Sequence, residues 1–93
     1  MIKSFKCKET EKIFNGFLSK KFCNIQSVAK RKLDMIHFAY TEKDLIVPPA
    51  NRFEHLKGNL QGYCSIRIND QYRIIFKFSN GIADDVQIVD YHK

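Results

Sequence analysis

The residues best suited to chemistry lie in the second half of the chain, and they suit cleavage of RNA. RNA carries its own nucleophile, because a 2′-hydroxyl can attack the adjacent phosphate in line. A protein assisting that attack must take the 2′-OH proton, protonate the leaving 5′-oxygen and stabilise charge on the phosphoryl oxygens. Arg73 and Lys57 fit the last task. A guanidinium fork meets two phosphate oxygens at once, and a lysine acts as a point charge. Glu54, His55, Asp90, Tyr91 and His92 are the candidates for proton transfer. Asp84 and Asp85 adjoin, so on a strand they point to opposite faces and make no paired-carboxylate metal site. Each candidate also has a plainer role. Arg73 on a strand serves equally as an ion-pair partner, Tyr91 as a rim aromatic, and His92 as an exposed histidine near the end. His55 in that view only caps a strand before the Lys57-Gly58 turn, and His37 sits beside a helix's apolar stripe.

These residues need elements to hold them. Lys3 to Phe5 reads as a short first strand. From Thr10, Ile13, Phe14, Phe17 and Leu18 fall on one helical face, weakened by Gly16. A stronger helix follows Asn24 as N-cap, with Ile25, Val28, Ala29, Leu33, Ile36 and Tyr40 as its stripe and Lys30, Arg31 and Asp34 facing away. Thr41 to Ala50 reads as a linker, because Pro48-Pro49 cannot continue a helix.

After residue 50 the period changes from 3.6 to 2. Tyr63–Asn69 and Tyr72–Phe78 alternate, and Val86 and Ile88 continue the apolar face in a third strand. Asn69-Asp70-Gln71 and Ser79-Asn80-Gly81 carry turn chemistry. A three-residue loop over Ser79–Gly81 pairs Phe78 with Ile82 and Ile74 with Val86, with a bulge near Asp84-Asp85. The helices are expected to cover Ile66, Ile68, Ile74, Phe76, Val86 and Ile88. The opposite face then collects Tyr63, Arg67, Arg73, Lys77 and Tyr91, an arginine–tyrosine platform suited to RNA.

Ninety-three residues, 44% hydrophobic and 13% aromatic, make one globular domain spanning 1–93, too small for two cores. No apolar run approaches the roughly 20 residues of a membrane span, and the start has no secretory pattern, so the expectation is a soluble, cytoplasmic protein. Cys7, Cys23 and Cys64 are odd in number and lack metal-ligand spacing, which reads as free, buried or half-buried thiols; no metal or cofactor is expected. The net charge of +6 is unevenly placed. Residues 1–40 hold nine Lys and Arg against three Asp and Glu, and residues 41–93 hold seven of each. A cationic helical shell attracts polyanions, and Lys20, Lys21, Lys30 and Arg31 are its candidates for gripping RNA.

Three ordered segments carry a family resemblance. Asn51-Arg52-Phe53-Glu54-His55-Leu56-Lys57-Gly58-Asn59 resembles the N-R-L-E-x-L-K-G-D run of HigB toxins. Gly62 to Ile74 is similar to their G-x-[YW]-S-I-R-[IV]-N-D-Q-[YW]-R-I strand pair, and Val89-Asp90-Tyr91-His92 matches their V-D-Y-H terminus. The start, Met1-Ile2-Lys3-Ser4-Phe5-Lys6, is also similar. The resemblance implies an α+β, RelE-like fold, a twisted and mainly antiparallel sheet with two N-terminal helices on one face. It implies a metal-independent, ribosome-dependent messenger RNA endonuclease. Its partner would be a HigA-type helix-turn-helix antitoxin, with operator DNA reached only through that antitoxin. By the family pattern Lys57 and Arg73 would hold the phosphate, with Asp90, Tyr91 and His92 completing the site. Some relatives have histidine where this chain has Glu54, and His55, one place later, points to the other face of a strand, so the general base stays open. That departure supports one rival reading, a binding module that has lost efficient catalysis and survives as an antitoxin partner or repressor component; a second rival is a plain single-stranded RNA binder using the same arginine–tyrosine face.

Overall fold

A computed structural model describes residues 1–91 of the chain. Its elements are helices α1 (Lys8–Phe14), α2 (Gln26–Phe38) and α3 (Glu42–Ile46), followed by strands β1 (Glu54–His55), β2 (Cys64–Arg67), β3 (Tyr72–Ser79) and β4 (Ile82–Asp90). The four strands form one antiparallel sheet in the order β1-β2-β3-β4. The N-terminal segment runs parallel to β4 but, among the described residues, pairs in two places only, Ile2 with Ala83 and Phe5 with Val86. The expected strand Lys3–Phe5 is thus reduced to two bridges. The reason sits between them, at a bulge in β4: Asp85 has φ +54° and its N–H is received by the Ser4 hydroxyl at 2.8 Å.

That bulge also decides the hairpin register. The turn is the two-residue Asn80-Gly81, both at positive φ, which pairs Ser79 with Ile82 and Phe78 with Ala83. The three-residue loop of the sequence reading does not form. Beyond the bulge the pairing shifts by one residue, so Ile74 faces Ile88 and not Val86. The expected bulge is present, and it returns Val86 and Ile88 to the core side that Ala83 already occupies.

Ile66, Ile68, Ile74, Phe76, Val86 and Ile88 are buried as expected, together with Ile13 of α1 and Ala29, Leu33 and Ile36 of α2. Thr10 of α1 accepts the Ile88 N–H at 3.0 Å, so the sheet edge beyond Phe5 is satisfied by a side chain. The helix ends differ from expectation. α1 stops at Phe14 because Gly16, at φ +87°, turns the chain away; Phe17 and Leu18 are left 65% and 83% exposed. Asn24 does not cap α2, since it lies inside a 3₁₀ turn, Cys23–Ile25, that leads into the helix. Tyr40 lies beyond the helix and is exposed. The expected linker contains α3, opened by a reciprocal capping box between Thr41 and Asp44. Of the three free thiols, Cys64 is buried and Cys7 half-buried, but Cys23 is exposed.

Candidate functional site

The sheet face away from the helices is less open than the alternation implies. Ser65, Arg73 and Ile75 are all buried on it. Arg73 pairs across the sheet with Arg67, and the chain before β1 folds back over that pair. The result is a cleft of about 670 Å³. Arg52, Phe53 and Glu54 form one wall, and Arg67, Asn69 and Asp70 the other. Arg73 and Tyr91 complete the lining. Three guanidiniums therefore meet two carboxylates in the cleft.

Arg73 is held from several sides. Its Nε donates to the fully buried Ser65 hydroxyl at 2.9 Å, and one terminal nitrogen, Nη2, donates to the Arg52 carbonyl at 2.5 Å. Glu54 Oε1 lies 3.4 Å from the same Nη2, and the Tyr91 ring centre is 5.4 Å from the guanidinium carbon, in cation–π range. Among the described residues no hydrogen bond engages the remaining nitrogen, Nη1. Burial pushes the Arg73 pKa down, and Arg67 and Arg52 add to this; the Glu54 carboxylate and Tyr91 oppose it. An arginine so placed stays charged and presents a poorly hydrated, oriented cation. Arg67 is paired with Asp70, whose side chain is fully exposed. That pairing is screened by water and yields readily to a stronger anion.

The other sequence candidates are dispersed. Glu54 faces Arg73 as described, whereas His55, next in the strand, turns away to Glu42 at 3.0 Å and packs on Phe53. Lys57 is exposed and lies outside the cleft lining. Asp90 pairs with Tyr72 across the sheet and accepts from Gln71 Nε2 at 3.1 Å, so it too lies outside the lining. His92 lies outside the described residues. Tyr63 and Lys77 sit together further along the sheet, where Lys77 and Lys6 approach the Tyr63 ring at 5.2 and 5.8 Å; Lys77 also reaches Asp85 at 3.5 Å. Lys20 and Lys21 border a shallow depression with Leu18 and Lys12. Lys30 is partly neutralised by Asp34 at 2.7 Å, and Arg31 is exposed. Among the described residues no three His, Cys, Asp or Glu side chains gather into a ligand cluster.

Sequence reasoning missed Arg52 and Ser65, which fix Arg73, and Phe53, Asn69 and Asp70, which complete the walls. A sequence signal existed for all five, since each lies inside the segments that resemble HigB toxins.

The family described as RelE-like toxin of type II toxin-antitoxin system HigB matches residues 3–92. The chain belongs to this family. Toxin HigB-1 of Vibrio cholerae serotype O1 is 50% identical to it over 70 residues, 75% of this chain and 73% of that protein. An uncharacterized protein of Haemophilus influenzae is 40% identical over 65 residues, 70% of this chain and 64% of that protein. Among solved structures, YafQ from E. coli strain BL21(DE3) superposes with a TM-score of 0.65 at 12% identity, covering 98% of this chain and 92% of that one. The heterotetrameric YoeB–YefM toxin–antitoxin complex from Staphylococcus aureus contains a chain that superposes at 0.62 with 22% identity, covering 100% and 97%. These two show the fold. RelE-like HigB toxins work as one half of a type II toxin–antitoxin system and are in general ribonucleases.

Proposed function

We propose that this toxin cleaves messenger RNA on the ribosome, without a metal ion, by attack of the 2′-hydroxyl on the adjacent phosphate. The observation that carries this reading is the buried Arg73, held by Ser65, the Arg52 carbonyl, Glu54 and Tyr91 in the lining of a cleft it shares with Arg67. In the reaction the 2′-OH gives its proton to a base, O2′ bonds to phosphorus, the P–O5′ bond breaks, and the leaving oxygen takes a proton. The products are a 2′,3′-cyclic phosphate and a 5′-hydroxyl. Arg73 and Arg67 offset the extra charge on the phosphoryl oxygens, and preorganised donors of this kind are worth about 10²–10³ each in rate. Asp70 and Glu54 occupy the two guanidiniums until the phosphate displaces them. Tyr91, Glu54 and His92 supply the proton transfers, and Lys57, His55 and Asp90 act from the margin.

An open site with so few groups cannot impose in-line geometry alone, and an RNA bent in the ribosomal decoding site supplies the missing orientation. Lys20, Lys21, Lys30 and Arg31 then grip ribosomal RNA, while Tyr63 and Lys77 meet the message beside the cleft. The antitoxin is of the HigA helix-turn-helix type, operator DNA is reached only through it, and the setting is the cytoplasm. The test compares one mRNA free in solution with the same mRNA in a programmed ribosome. Cleavage confined to the ribosome, with cyclic or 3′-phosphate ends and none at a 2′-deoxy position, is expected. Equal rates on the two substrates, or 3′-hydroxyl ends, would overturn the reading.

A further inference from the structure

Lys32 lies on the core-facing side of α2, between Ala29 and Ile36, and is only 4% exposed. It forms no ion pair among the described residues, and its ammonium donates instead to the side-chain carbonyl of Asn51 at 2.5 Å. Burial lowers its pKa, and Arg31 and Arg67 add to that effect. A buried cation facing a neutral amide is a poor way to gain stability, since a methionine of similar volume would carry no desolvation cost. Asn51 is fully buried, and its amide also donates to the Leu45 carbonyl at 3.0 Å and contacts the Met35 sulfur at 3.1 Å. Asn51 thereby pins the 3₁₀ turn Pro49–Asn51 to both α2 and α3.

The next residue is Arg52. Its backbone is left-handed, φ +45° and ψ +52°, a conformation that a non-glycine residue keeps only where its surroundings enforce it. In that conformation its carbonyl meets Nη2 of Arg73, 21 residues away. An unbroken series of contacts thus runs from the helix layer, around the β1 side of the sheet, to the guanidinium in the cleft. We propose that Lys32 and Asn51 are positioning residues for Arg73: together they lock the Arg52 carbonyl that aims the guanidinium into the cleft. The proposal rests on the reading of Arg73 as the group that stabilises the phosphate, and it adds the device that orients it.

The test uses the full chain carrying Lys32→Met. It measures the urea unfolding midpoint, single-turnover cleavage on programmed ribosomes, and the Arg73 Nε–H resonance in ¹⁵N-resolved NMR of the free protein. The midpoint should change little, because loss of a buried ammonium offsets the unpaired Asn51 carbonyl. Cleavage at saturation should fall about tenfold or more, with the half-saturating concentration unchanged. The Arg73 resonance should move or broaden. An Arg73 resonance that stays in place overturns the proposal, and so does a loss of cleavage that only follows a lowered midpoint. A wild-type chain that does not cleave refutes the ribonuclease reading, and the NMR comparison still decides the positioning. Should Lys32→Met not fold, two changes at Arg52 decide by the same resonance. Both remove the Arg52 guanidinium, but Arg52→Gly accepts positive φ freely whereas Arg52→Val resists it, so the Arg73 signal of the valine variant should be displaced from that of the glycine variant. Identical signals from the two overturn the proposal.

Discussion

Ser65→Ala isolates one of the bonds that orient Arg73. The Ser65 hydroxyl is fully buried and receives the Arg73 Nε–H at 2.9 Å. Alanine fits the same space and removes only the oxygen, while Ser65 keeps its backbone pairing with Glu54 and Ile75. The Nε–H is then left unpaired in a residue that is only 8% exposed. An orphaned buried donor costs about 1–3 kcal/mol, toward the upper end when the donor is charged. For a chain of this length each kcal/mol lowers Tm by about 4–8 °C. The bond from Nη2 to the Arg52 carbonyl and the contacts with Glu54 and Tyr91 survive, so the guanidinium loosens but does not leave the cleft. Saturating cleavage should therefore fall about 10-fold, less than the roughly 10²-fold or more expected for Arg73→Ala, which removes the charge itself. The assay pairs urea and thermal unfolding with single-turnover cleavage on programmed ribosomes for wild type, Ser65→Ala and Arg73→Ala. A Ser65→Ala protein with wild-type stability and wild-type cleavage would refute the reasoning, since the bond would then neither hold the fold nor aim the arginine.

Further outcomes rest on other contacts of the structure. Asp70→Asn removes the exposed placeholder on Arg67 and should tighten RNA binding two- to fivefold at low salt, on the ~0.2–1 kcal/mol scale of exposed pairs; unchanged binding would remove Asp70 from the account. Ribosome binding should weaken steeply with salt, and charge reversal at Lys20, Lys21 or Arg31 should each reduce the log–log slope by about one, more than reversal at Lys30, which Asp34 already pairs. Gly81→Ala should cost about 1 kcal/mol or more in urea unfolding, because φ is +78° and the new methyl would lie 3.3 Å from the Tyr40 carbonyl oxygen. Burial pushes the Cys64 thiol up to about 12, with Glu42 adding to the rise, so in the folded protein a thiol reagent at pH 8 should modify Cys23 and leave Cys64 untouched. The raised value also means that this contribution to stability is complete below about pH 9 and declines as pH rises from 9 toward 12, where the unfolded chain ionises first; Cys64→Ala should flatten that decline.

The strands were legible because β2, β3 and β4 alternate with a period that no helix shares. Their register was not, because two solutions bury nearly the same side chains. A three-residue loop does it directly, and a two-residue loop does it through the bulge at Asp85. Asn80-Gly81 favours the shorter turn locally, and Ser4 stabilises the bulge from the other end of the chain, a contact no local pattern announces. α3 was hidden for the opposite reason. Pro48-Pro49 does end helical structure, but five residues fit ahead of it, and the Thr41–Asp44 capping box that starts them was readable in the sequence.

The site divides along the same line between local pattern and distant contact. That Arg67 and Arg73 share a face follows from alternation, as does the separation of Glu54 from His55. How deeply Arg73 is buried does not, because it depends on a carbonyl supplied by a left-handed residue in another segment. Lys32 did leave a trace. It stands among Ala29, Leu33 and Ile36 on the stripe of α2 that faces the core, where a lysine must either snorkel out or find a partner inside. A charged residue on an apolar stripe is a local inconsistency, and proteins retain such inconsistencies where function requires them. Here its partner is Asn51, and the residue after Asn51 holds the arginine on which the proposed chemistry turns. The cleft is thus shaped less by the sheet that displays Arg73 than by the helix layer behind it, which fixes the segment folding over its edge.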